Sequence, residues 1–212
     1  MELELWSDDR FTSPWVMSVW VALKEKALPF TVKTVSLERG EHRQGEYPRA
    51  TLTGKVPALR QGDFWLSESM AILEYLDESF PPATVLKGDA RRRARDRQIM
   101  SWLRSDFVPV REAMTFEGIF LGGAPYLAPT PQVRGQVARL LAVASELVTG
   151  RAADPTGADF DLAFMVRRLV HYQYPLDGYP QVVEHCEAIW SRPSVQSFVK
   201  QPRPAPVARL KP

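Results

Sequence analysis

Ser13, Glu68 and Ser69 stand where the pattern of the chain turns helical, and each brings a hydroxyl or carboxylate to a helix start. Serine at a cap followed by Pro14 at the first helical position is a standard start signal. The Ser13 hydroxyl there joins the positive end of a helix macrodipole, a pairing that stabilises an anion. Glu68 and Ser69 follow the extended run Phe64 to Leu66. They fall, with Ser67, in the first turn of a helix whose apolar positions Ile72, Leu73 and Leu76 recur at helical spacing. Hydroxyls and bare N–H groups at such a terminus make a seat for a carboxylate. Just upstream lies Gly54-Lys55-Val56-Pro57-Ala58-Leu59. Proline cannot donate to a ladder, so a strand is expected to begin at Pro57, leaving an edge backbone at Val56 that suits a small extended peptide.

In this order and spacing, Ser13-Pro14, Val56-Pro57 and Glu68-Ser69 resemble the glutathione-binding domain of the cytosolic glutathione transferases, over Leu3 to Leu76 and more weakly beyond. The resemblance implies glutathione as co-substrate and a cis Val56-Pro57 bond. It implies that Glu68 receives the γ-glutamyl ammonium, Ser69 its carboxylate, and the Val56 backbone the cysteinyl unit. Lys55 and His42 are candidates for the glycine carboxylate, with a solvated side chain as the other use of each. Asp106 is a candidate for reaching across a dimer to the second subunit's γ-glutamyl group. A free thiol of this kind has a pKa near ~8.5, so an enzyme must stabilise the thiolate. Ser13 is the candidate donor; its other use is as a helix cap, and one hydroxyl can serve both. Thr12, Ser7 and a backbone N–H are the alternatives. Phe11, Met114, Phe116 and Phe120 are candidates for a second-substrate pocket, or else core.

Departures narrow the class. The first strand ends in Trp6, without the tyrosine donor of many animal enzymes, no cysteine replaces Ser13, and the Ser-Ser-Cys run of maleylacetoacetate isomerases is missing. A bacterial, serine-type transferase is expected, attacking a hydrophobic electrophile or reducing an organic hydroperoxide, and forming a homodimer. The alternative is a non-catalytic interaction module of the same fold, to which the basic block Arg91 to Arg97 lends some support beside its plainer reading as a solvated helix face.

The elements needed to position these groups read as β-α-β followed by β-β-α, a thioredoxin-like α/β domain over residues 1–80. Strands are expected at Glu2 to Trp6, Thr31 to Val35, from Pro57, and at Phe64 to Leu66. Pro81-Pro82 cannot continue a helix and marks a linker over 81–88. From 89 to 212 the pattern is all-α, with Pro109 breaking its first long helix, a capping box at Thr156 to Asp159, and a proline-rich, loosely packed tail from Pro202 to Pro212. In the helix from Asp159 to His171, the residues Phe160, Leu162, Ala163, Phe164, Met165, Val166 and Leu169 leave almost no polar face except Arg167 and Arg168, so this helix should be central and buried.

With 212 residues and 45% apolar content the chain can build a substantial core. A net charge of +2 carries no nucleic-acid signature, and no apolar run reaches the roughly 18 residues of a membrane span. Met1-Glu2-Leu3-Glu4 lacks the order of a signal peptide, so a cytoplasmic location is the default. His42, His171 and His185 are too dispersed to suggest a metal site, and the single cysteine, Cys186, reads as a buried small hydrophobe.

Overall fold

Four strands join in one mixed sheet. The computed structural model describes residues 2–122, 129–149 and 151–204; the tail beyond Pro204 lies outside them. Strand β1 (Leu3–Asp8) runs parallel to β2 (Phe30–Val35) and antiparallel to β3 (Ala58–Gln61), which pairs antiparallel with β4 (Phe64–Ser67). Helix α1 (Pro14–Glu25) crosses between β1 and β2, the short α2 (Tyr47–Ala50) precedes β3, and α3 (Ser69–Ser79) follows β4. Leu3 and Leu5 of β1, Leu59 of β3 and Ile72, Leu73 and Leu76 of α3 pack with the buried stripe of α1. Strand boundaries differ from expectation by one or two residues, with β1 starting at Leu3, β2 at Phe30 and β3 at Ala58. β1 continues past Trp6 to Asp8, and Ser67 completes β4 rather than entering α3, because both residues pair in the sheet ladder.

The remainder is helical: α4 (Ala90–Ser105), α5 (Val108–Ala113), α6 (Phe116–Leu121), α7 (Pro131–Leu147), α8 (Gly157–His171), α9 (Pro180–Trp190) and α10 (Pro193–Val199). Pro109 does break the first helical segment, standing in the first turn of α5 after α4 has ended. The central helix α8 opens with the expected capping box between Thr156 and Asp159. It is buried along most of its length, as expected, and of Arg167 and Arg168 only Arg167 keeps partial exposure. Arg168 is only 2% exposed, because α5 and α6 cover that side of the helix and the Met114 carbonyl receives its Nη1.

Helix α1 joins the two halves. Its Ser18 donates to the buried Asp161 of α8 at 2.5 Å, Trp20 Nε1 donates to Ser197 at 2.8 Å, and Glu25 accepts from Arg192 at 2.8 Å. The chain after α3 is tied back by Asp77 of that helix, whose carboxylate accepts from Lys26 and from the N–H groups of Thr84, Val85 and Leu86. Burial alone would raise the pKa of Asp77; these donors outweigh it and hold it below the usual carboxylate value.

Candidate active site

The turn between β1 and α1 is organised by one carboxylate. Asp8 is 2% exposed and accepts from the Thr12 N–H at 2.7 Å, the Thr12 hydroxyl at 2.9 Å and the Ser13 N–H at 3.3 Å. Phe11 takes the left-handed conformation (φ 48°) that lets the chain double back over Asp8, and Arg203 caps the turn by donating to the Phe11 carbonyl at 3.1 Å. Ser13 Oγ accepts from the Val16 N–H at 3.3 Å, as a helix cap does. The three candidate hydroxyls thereby separate. Ser7 is fully buried and donates to the Asp8 carbonyl; Thr12 donates to the Asp8 carboxylate. The proton of Ser13 has no acceptor among the described residues.

Beside this helix start lies a cleft of about 280 Å³ lined by Trp15, Lys55, Val56, Pro57, Glu68, Ser69 and Arg104. Val56 precedes β3 and stays outside its ladder, with a cis bond to Pro57. Lys55 and Glu68 are exposed, whereas Ser69 is buried at the start of α3. Glu68 holds φ 70°, a conformation that turns the chain sharply from β4 into α3. Arg104 binds the two halves of the molecule together at the cleft floor. Its Nε and Nη2 donate to Ser69 Oγ at 3.3 and 3.2 Å, its Nη1 pairs with the fully buried Asp161, and its guanidinium lies 4.4 Å from the Trp15 ring. Ser69 Oγ accepts twice from Arg104, and its own O–H has no acceptor among the described residues.

Such a cleft offers cations and N–H groups to carboxylates, an edge backbone to a peptide, and a hydroxyl at a helix terminus to an anion. A family model for the glutathione S-transferase N-terminal domain matches residues 12–79, and one for the C-terminal domain matches residues 89–202. The chain belongs to the glutathione S-transferase family. It is 34% identical to a glutathione transferase homologue from Burkholderia gl BGR1 solved with bound glutathione, over 94% of this chain and 97% of that one, with a TM-score of 0.75. It is also 34% identical to glutathione S-transferase 1 of Dianthus caryophyllus, over 52% of this chain and 49% of the relative. To the maleylacetoacetate isomerase of Pseudomonas aeruginosa it is 37% identical, over 52% of this chain and 53% of the relative. The chain thus spans about half the length of these curated relatives.

Of the residues singled out by resemblance to the family, the cleft gathers Lys55, Val56, Pro57, Glu68 and Ser69, and Ser13 caps the helix that brings Trp15 to its wall. Other candidates lie elsewhere. His42 Nε2 accepts from Arg43, and Asp106 is an exposed residue at the end of α4 that accepts from Ser105; neither lines the cleft. Phe11, Met114 and Phe116 are between 1% and 7% exposed and belong to the core, while Phe120 is half-buried against Trp190 and beneath Arg203. Residue type could not distinguish these uses, because an aromatic at helical spacing fits either. Trp15, Arg104 and Asp8 were not anticipated. Only Asp8 left a local trace, as an acid shortly before a Thr-Ser helix start.

Proposed function

We propose that the protein is a bacterial, serine-type glutathione transferase that binds glutathione in the cleft and activates its thiol for attack on an electrophile or reduction of an organic hydroperoxide. The observation that carries this reading is the meeting of Val56, Glu68 and Ser69 in one cleft beside a helix whose capping hydroxyl keeps its proton free. The peptide extends along Val56. Its γ-glutamyl carboxylate meets the Ser69 hydroxyl and the bare N–H groups of α3, its ammonium meets Glu68, and Lys55 faces the glycine carboxylate.

The thiol falls at the start of α1. There Ser13 donates to the developing thiolate while its lone pair still receives the Val16 N–H, and the helix terminus adds its positive potential. Catalysis then comes from the raised thiolate fraction and from holding both reactants together. The functional unit is a homodimer.

Ser13→Ala tests the reading. Bound glutathione titrates below its free value of about 8.5 in the parent protein, and the variant raises that pKa while binding S-methylglutathione with nearly unchanged affinity. Each unit of restored pKa is about 1.36 kcal/mol of lost thiolate stabilisation. Ultraviolet titration of the bound thiolate measures it. Identical curves for both proteins would reduce Ser13 to a cap, and a lack of glutathione binding would favour the interaction module.

A further inference from the structure

Beyond Trp15 the helical half carries more buried positive charge than its carboxylates neutralise. Arg104 and Arg111 both face the Trp15 ring, their guanidinium carbons 4.4 and 5.8 Å from its centroid. Arg104 is paired with Asp161. Arg111 is half-buried, and its Nη1 donates to the Leu103 carbonyl at 2.9 Å. Behind it Arg168 is 2% exposed, its Nη1 donates to the Met114 carbonyl at 2.9 Å, its guanidinium lies 5.0 Å from the Phe116 ring, and its Nε has no partner. Among the described residues, no carboxylate lies within 4.0 Å of the nitrogens of Arg111 or Arg168. Glu112 is exposed and outside ion-pair distance, and Glu117 is engaged with Arg10.

Buried cations without counter-charges are costly, and sequences keep them where another charge completes the set. Burial, with the repulsion of Arg111, lowers the pKa of Arg168 to about 9, so it is still a cation at neutral pH. Burial and the charge of Arg104 likewise lower that of Arg111. A guanidinium offers a planar fork matched to a carboxylate, and fixed cations on a half-buried wall draw anions in. Of the apolar candidates that would suit a neutral hydrocarbon, Phe11, Met114 and Phe116 are meanwhile turned into the core, and Phe120 is half-buried.

We propose that Arg111, backed by Arg168, seats a carboxylate of the second substrate, so that the electrophile this protein takes is an organic anion. The inference rests on the neighbouring cleft being the glutathione site, with Trp15 shared between the two. Two glutathione conjugates of matched shape separate the ideas: S-(4-carboxy-2,6-dinitrophenyl)glutathione and its neutral carbamoyl counterpart, titrated by calorimetry so that no turnover is needed. The parent protein is expected to bind the carboxylate conjugate at least about tenfold more tightly, the scale of a hydrogen bond to a charged group. Arg111→Gln should bring the two conjugates within about twofold of each other, and Arg111→Lys should keep part of the preference. Binding of the carbamoyl conjugate should hold constant in all three proteins, which also reports that each is folded. Equal affinity of the parent protein for both conjugates, or a preference that survives Arg111→Gln, overturns the proposal while leaving the glutathione site standing. Failure of both conjugates to bind overturns the proposal and the glutathione site together.

Discussion

At the scale of single residues, the carboxylate of Asp8 matters more than its distance from any substrate suggests. It receives three hydrogen bonds from Thr12 and Ser13, and these set the direction in which the Ser13 hydroxyl leaves the turn. Asp8 is therefore a positioning residue for the proposed thiol site. Asn in its place keeps the size but presents an amide NH2 to one of the backbone donors. Asp8→Asn is expected to cost about 1–3 kcal/mol of stability, the range for hydrogen bonds to a charged acceptor. It should also raise the pKa of bound glutathione in the direction of Ser13→Ala while S-methylglutathione affinity is kept. Denaturant unfolding and thiolate titration on the same variant check this, and a variant less stable but with an unmoved thiol pKa would assign Asp8 a structural part only. Ser13 itself was legible in sequence because a cap followed by proline is a local signal. Arg104 was not, since its role depends on Ser69, 35 positions before it, and on Asp161, 57 positions after it.

At the scale of elements, the start of α8 shows both how far a local pattern reaches and what it omits. Thr156 and Asp159 announce a capping box, and the box is there. Tertiary structure adds Arg151, which joins Asp159 at 2.6 Å and the fully buried Asp96 at 2.9 Å, and His185 of α9, whose Nε2 lies 3.8 Å from Asp159. Neither ring nitrogen of His185 has a hydrogen-bond partner among the described residues. Burial lowers the pKa of His185, Asp159 opposes that, and Arg151 reinforces it. The unfolded chain therefore takes up a proton near pH 6.5 that the folded protein declines. Stability contributed by the neutral ring is complete above that pH and falls as acidification proceeds toward the lower folded pKa. Unfolding midpoints measured between about pH 7.5 and 5.5 should decline for the parent protein and stay flatter for His185→Gln. Parallel profiles would show that other groups govern this window. The end of β1 and the start of α3 each missed by two residues because ladder pairing, which local pattern does not record, decided them.

For the whole molecule, the halves share a polar seam through α1, and the face formed by α4 and α7 remains open. Between those helices runs a groove of about 520 Å³ with Ile99, Trp102, Val143 and Leu147 along its floor and Arg95, Arg139 and Glu146 at its rim. The apolar floor favours burial, and charges of both signs on the rim let the same surface meet itself across a twofold axis, as an isologous contact requires. The proposed homodimer packs through this face, along the helix that begins after Asp89, together with the hairpin around Gly62-Asp63, next to which Phe64 is 44% exposed. Sedimentation equilibrium should give about twice the chain mass of 24.0 kDa at micromolar concentration. Val143→Glu would place a carboxylate on the apolar floor of both subunits at once, and is expected to shift the mass toward the monomer without lowering the unfolding midpoint of the separated chain. A parent protein that sediments as a monomer would exclude this packing and would also remove Asp106, exposed at the end of α4, from any role across an interface.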